Sequence, residues 1–189
     1  MQDRPPPHDP RSDEQLIDAI NRGDDRAFEA LYYRYRDWVI NLAYRTMGDR
    51  EAALDVMQET FAYLLRKTPN LELTAKMTTF LFPVVRHLAI AARKKSARFV
   101  SPSNDLPDPP VPADNPDDAV ESPREALGRV MAGLSETHRE VVLLRFVDDL
   151  SLAEIAQAMD VPVGTIKSRL HHALKALQDD EATRKYFEM

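Results

Sequence analysis

The sequence predicts an all-α protein of two small helical domains joined by a Pro/Asp-rich linker. Three observations predict it. Apolar residues recur at steps of three and four through most of the chain, and no window sustains the alternation of a half-buried strand. The 14 prolines outnumber the 5 glycines and crowd into two places, the first 12 residues and the stretch 101–123. That stretch, SPSNDLPDPPVPADNPDDAVESP, holds seven prolines, and from Asn104 to Glu121 it carries six acids and no base. Such a composition stays solvated and extended, because it has too little apolar surface to offset the entropy of ordering. The expected layout is a flexible tail over 1–12, a helical domain over 13–99, a disordered acidic linker over 100–122, a second helical domain over 123–180 and a C-terminal tail over 181–189.

In the first domain, Leu16, Ile17 and Ile20 make a short stripe. Phe28, Leu31, Tyr35, Trp38 and Leu42 then form one face of a long helix. Gly48 is placed to stop it, and Asp49 to cap the next. In that next helix Leu54, Met57, Phe61 and Leu64 point inward, and Pro69 closes it. A further helix spans about Thr74 to Arg98, with a kink or restart expected at Pro83.

The second domain opens on Ser122-Pro123-Arg124-Glu125, a capping box with proline at the first helical position. Leu127, Val130, Met131 and Leu134 supply an apolar face. Ser135 caps a helix whose inward residues read as Val141, Leu144 and Val147. Ser151-Leu152-Ala153-Glu154 is a second capping box, before Ile155, Ala156 and Met159. Asp160-Val161-Pro162 is a turn. The last helix, about Val163 to Gln178, turns Ile166, Leu170, Ala173, Leu174 and Leu177 inward.

Composition excludes several classes of function. Cysteine is absent, which removes disulfides, thiolate metal sites and cysteine nucleophiles. No glycine pair is close enough for a phosphate loop, and neither HExxH nor GxSxG occurs. The five histidines do not make a metal-ligand spacing. No metal, cofactor, small-molecule substrate or catalytic activity is expected. No apolar run is long enough to span a bilayer, so a cytoplasmic protein is expected.

The net charge of −6 conceals a segregation of sign. Residues 13–65 carry 11 acids and 6 bases. Residues 84–98 carry Arg86, Arg93, Lys94, Lys95 and Arg98 without an acid, and 163–178 carry Lys167, Arg169 and Lys175 without one. Local sign decides where a polyanion binds.

From Ser151 to Gln178, a short capped helix, a three-residue turn and a longer helix have the spacing of a helix-turn-helix. The polar stripe of the last helix holds Thr165, Lys167, Ser168, Arg169, His171, His172 and Lys175, residue types that bond phosphates and base edges. The same spacing also fits a helical hairpin with a solvated basic face. The run LSETHREVVLLRFVDDLSLAEIAQAMDVPVGTIKSRLHHALKAL resembles the fourth conserved region of sigma factors of the extracytoplasmic-function (ECF) group. The resemblance implies that the last helix reads the −35 promoter element as duplex, and that this domain docks on the flap of the RNA polymerase β subunit.

In the first domain, DREAALDVMQETFAYLLRK resembles the second conserved region of the same group. That likeness implies that Asp55, Gln58 and Glu59 face the clamp helices of the polymerase β′ subunit; a solvated acidic face is the plainer alternative. MTTFLFPVVRHLAIAARKKSAR resembles the segment that melts the promoter and recognises the −10 element. There Arg86, Arg93, Lys94, Lys95 and Arg98 would hold phosphates of the melted non-template strand, with His87 beside them. Phe80 and Phe82 would offer faces to unstacked bases, or else pack in the core. Many relatives have tryptophan where this chain has Phe80, asparagine where it has His87 and a basic residue where it has Pro83. These departures bear on −10 base preference and on the path of the helix. The resemblance covers about 140 residues.

The expected function is thus that of an ECF sigma factor of the sigma-70 family, a subunit that binds core RNA polymerase and starts transcription at promoters. An anti-sigma factor is implied as a further partner. The rivals are a stand-alone helix-turn-helix regulator, which would bind DNA tightly without polymerase, and a sigma mimic, which would need neither basic face.

Overall fold

Helix caps written into the sequence set most of the boundaries in the computed structural model, which describes residues 9–99 and 123–179, with side chains at 9–96 and 128–179. The tails over 1–8 and 180–189, the linker over 100–122 with Ser122, and the side chains of Arg98 and Leu127 lie outside the described residues. Eight helices and no strand occur among the described residues. They fall into two units, Met1–Pro109 and Pro110–Met189.

The first unit holds α1 (Asp13–Asn21), α2 (Asp25–Met47), α3 (Arg50–Lys67) and α4 (Met77–Phe99). Ser12 and Gln15 form a capping box at the start of α1. Asp24 and Asp49 accept from backbone N–H groups at the starts of α2 and α3. Gly48, at φ 71°, ends α2 in the left-handed region where a Cβ would be strained. Each cap satisfies donors or acceptors that a helix end leaves open. The core joins Leu16 and Ile17 of α1, Leu31 and Val39 of α2, Leu64 of α3 and Leu81, Phe82 and Val85 of α4, all essentially without solvent contact. Asn21 ties the end of α1 to the α3–α4 loop through both Leu71 backbone groups, donating from Nδ2 (2.8 Å) and accepting at Oδ1 (3.3 Å).

Three expectations change here. Pro83 sits in an unbroken α4 and faces solvent, so the helix neither stops nor restarts there. Leu54, expected inward, is 39% exposed; Ala53, Val56 and Thr60 share the buried face of α3 instead. Residues 9–12, expected in the tail, are pinned to α2. Arg11 bonds Asp9 (2.8 Å) and Asp24 (3.0 Å), and Arg34 donates to Asp13 (2.6 Å) and to the backbone carbonyls of Asp9 and Arg11. The Tyr35 hydroxyl donates to Asp13. Hydrogen bonds from Arg11 hold the Asp9 carboxyl down to about 2, whereas burial and the Asp13 carboxylate push the Tyr35 phenol up.

The second unit holds α5 (Pro123–Gly133), α6 (Glu136–Phe146), α7 (Leu152–Met159) and α8 (Val163–Asp179). Arg139 of α6 closes the end of α5, donating to the carbonyls of Met131 (2.7 Å), Ala132 (2.7 Å) and Leu134 (3.2 Å). A charged donor at open C-terminal carbonyls also complements the helix dipole. Leu134, Val142 and Ala173 form a core flanked by Met131, Leu170 and Leu177. Ile155, Leu144, Leu150 and Ile166 are buried as well. Val147, expected inward, is 64% exposed. α6 ends one residue before it, so the chain leaves the helical register and Leu150 takes the inner place.

Candidate nucleic-acid interface

The turn between α7 and α8 fixes how α8 is presented. Ser151 and Glu154 complete the capping box at the start of α7. Asp160 ends it in the left-handed region (φ 52°), which a short polar side chain tolerates. Val161 then donates back to the Ala156 carbonyl (3.0 Å), and the Pro162 carbonyl accepts from Thr165 N–H (2.9 Å) to start α8. Ala156 is small and buried at this junction.

At about 100° per residue, Lys167, His171, Lys175, Ser168, His172 and Thr165 fall within roughly 160° of one face of α8. All but Thr165 are exposed. Ile166 and Ala173 are buried on the opposite face. Arg169 lies at the border and is half-buried. His172 is also part of a ring cluster: it stacks near His138 of α6 (centroids 6.3 Å, 24°) and meets His171 edge-on at 5.7 Å. Sequence spacing could not show that His138, half-buried on another helix, borders this face.

On α4 the predicted residues separate into two groups. Phe80, His87 and Lys94 are seven apart and share one side, with Lys95 about 60° from Phe80. His87, Lys94 and Lys95 are exposed and Phe80 is half-buried. Arg86 and Arg93 stand on another side of the helix, and Arg93 donates to the Thr46 carbonyl in the last turn of α2 (3.3 Å). Arg93 therefore also serves the fold, a role that its place in a basic run does not announce. Phe82 is fully buried, which settles it as a core residue. The Phe80 ring lies beside that of Tyr63 on α3 (centroids 6.4 Å, planes 35° apart).

Asp55, Gln58 and Glu59 are exposed together on α3. Glu59 lies 4.0 Å from Arg66, a contact too long and exposed to hold it firmly. Leu54 (39% exposed) and Leu65 (45%) line one edge of the same face. The acidic face thus carries an apolar border that the pattern of inward residues concealed. A second exposed apolar pair, Phe146 and Val147, stands at the end of α6, with the Arg145 guanidinium 6.0 Å from the Phe146 ring. Among the described residues, no group of three or more His, Cys, Asp or Glu could hold a metal ion, and no helix is long and apolar enough to cross a membrane.

Comparison with known proteins gives these surfaces a family. Residues 31–99 match the Sigma-70 region 2 family and residues 124–177 match the Sigma-70, region 4 family. The ECF RNA polymerase sigma factor SigW of Bacillus subtilis is 30% identical over 173 residues, covering 86% of this chain and 92% of that protein. The chain belongs to the ECF group of the sigma-70 family. The RNA polymerase sigma-H factor of Pseudomonas aeruginosa is likewise 30% identical, covering 87% of this chain and 91% of that protein. Two solved structures share the fold. One is the sigma factor RpoE of Bartonella quintana, in complex with the anti-sigma factor NepR (TM-score 0.63, 22% identity, 82% of this chain and 96% of that one). The other is CnrH, in complex with the cytosolic domain of CnrY (TM-score 0.60, 20% identity, 88% and 94%). The protein is an ECF RNA polymerase sigma factor, with region 2 in the α1–α4 unit and region 4 in the α5–α8 unit.

Proposed function

We propose that this sigma factor holds the duplex −35 element on α8 and the opened −10 strand on α4, while α3 docks on the β′ clamp helices. The observation that carries the reading is α8, where hydrogen-bonding and basic side chains occupy one exposed face and the apolar ones the other. Such a face offers both phosphate contacts and base-edge contacts, and the helix start adds favourable phosphate potential. On α4, Lys94, Lys95 and His87 supply phosphate contacts along the side that begins at Phe80. Arg86, Arg93 and Arg98 extend the positive field.

Asp55, Gln58 and Glu59 give the docking face its polar complement, and Leu54 and Leu65 add desolvated contact at its edge. Phe146 and Val147 supply region 4 with an apolar surface for the β flap. The chain acts as a specificity subunit in the cytoplasm, with no catalytic chemistry of its own. Each DNA-binding unit is weak alone, and tethering both through 100–122 raises affinity by effective concentration. An anti-sigma factor is a further partner, supported by the complex that the Bartonella quintana neighbour forms with one.

The test is run-off transcription with core polymerase, with and without the protein. Start-site selection that depends on the protein is the expected result. Lys167→Ala with Arg169→Ala should lower output from promoters that carry a −35 element. Tight, polymerase-independent binding to a palindromic duplex would instead favour a stand-alone regulator.

A further inference from the structure

We infer that His138 of α6 and His172 of α8 form an imidazole pair that takes up a proton as duplex DNA seats on α8, so that the grip on the −35 element tightens in acid. This rests on the reading that α8 receives that element. No motif assigns His138, which lies outside the helix-turn-helix. The two ring centroids are 6.3 Å apart with the planes at 24°, and His171 meets His172 edge-on at 5.7 Å. His138 stands in the first turn of α6, where its backbone N–H donates to the capping Ser135 hydroxyl (3.3 Å). The cap and the packing of α6 on α8 fix its ring beside the polar face of α8.

Core packing does not account for the pair. Leu134, Val142 and Ala173 already form the buried contact, whereas His172 is exposed and His138 half-buried. The charges around the pair are mostly positive. On α8, Arg169 and Lys175 flank His172 at about 60° to either side, and Asp179 is about 10 Å further along the axis. On α6, Glu136 and Glu140 stand about 160° around the helix from His138. Arg139 is committed to the carbonyls at the end of α5, and Arg145 donates to the Leu150 carbonyl. Arg129 is the one charged residue of α5 with a described side chain, and Glu154 of α7 accepts from the Ser151 N–H. The counter-charge for a proton on the pair is therefore an incoming phosphate rather than a neighbouring carboxylate. Imidazole changes charge between about pH 5 and 8, and an anion in hydrogen-bond reach favours its charged form. Two adjoining rings share one added charge more readily than they hold two, so the pair gains one proton per complex.

The experiment uses holoenzyme assembled from core polymerase and the full chain. Two duplex probes come from a promoter that this holoenzyme transcribes, one intact and one with the −35 element scrambled. Fluorescence anisotropy at constant ionic strength gives the ratio of the two affinities from pH 8 to pH 5.5, and effects of pH on core polymerase cancel in that ratio. It should rise about fivefold from pH 7.5 to pH 6. His172→Gln and His138→Gln keep hydrogen-bonding groups without a titrating ring, and each should hold the rise to within about 1.5-fold. His171→Gln should weaken binding alike at every pH and keep the rise.

A ratio above one that does not change with pH would overturn the inference and leave the α8 reading in place. A rise that survives either His138→Gln or His172→Gln would overturn it as well. Should His138→Gln fail to fold, His172→Gln, at an exposed position, decides alone. A ratio of one at every pH would show that α8 does not read the −35 element, and the pair would fall with that reading.

Discussion

Region 2 and region 4 solve the same electrostatic problem in different ways. On α8 the packing face and the polar face are opposed, so Lys167, Ser168 and Lys175 stay exposed while Ile166 and Ala173 hold the helix in place. On α4 the duties are interleaved. Phe82 is core and Phe80 is surface, two residues apart, and Arg93 belongs to a basic run yet bonds the end of α2. On the function proposed above, a helix that presents only one face to DNA allows its two faces to be specified separately, and a helix that receives an opened strand while packing in a four-helix core does not.

The largest test of that contrast is Phe82→Ala. Removing a fully buried ring should cost region 2 about 3–5 kcal/mol. Urea unfolding should show one transition moved and the region 4 transition in place; a single transition shifted as a whole would show that the regions do not fold separately. Next, Lys167→Ala and Arg169→Ala should each weaken promoter binding by about 1–3 kcal/mol where they contact bases. The unfolding free energy should stay within about 0.5 kcal/mol for exposed Lys167. Arg93→Ala should instead lower both stability and promoter opening, which heat denaturation and permanganate reactivity would read. Ser151→Ala removes one side of the α7 capping box and should cost region 4 about 1 kcal/mol, with region 2 unaffected.

The smallest effect is a pH dependence confined to region 2. The Asp9 carboxyl is held at about 2 against an ordinary 3.8. A depressed carboxylate stabilises the fold fully above its unfolded value, and that contribution fades as pH falls from about 4 towards 2. Asp9→Asn should flatten this part of the acid profile, and a carboxyl titration by NMR should place the midpoint near 2. A midpoint near 4 would show that the Arg11 contact does not persist in solution.

Local signals were the most legible part of the molecule. Asp49, Gly48, Ser135 and Ser151 mark helix ends through chemistry that involves only neighbouring residues, and the structure puts caps at each. The polar face of α8 was legible because one helical period sorts its residues. What failed depended on the third dimension. Leu54 and Val147 have the spacing of core residues, but Leu54 falls at the exposed edge of α3 and α6 ends one residue before Val147. Pro83 was expected to kink or restart α4; it starts no new helix, and packing on both sides through Leu81, Phe82 and Val85 carries α4 past it. His138 beside His172, and Tyr63 beside Phe80, come from separate helices with no shared motif.

Pro83 leaves a consequence of its own. Proline has no N–H, so the carbonyl of Thr79 lacks its in-helix donor, one rung short on the turn that carries Phe80. Met77, Leu81 and Phe82, all buried around that gap, hold the turn in place without the missing bond. Side-chain burial there takes over the task of an absent main-chain bond, so a smaller residue at Leu81 should loosen this turn more than the same change on the exposed side of the helix.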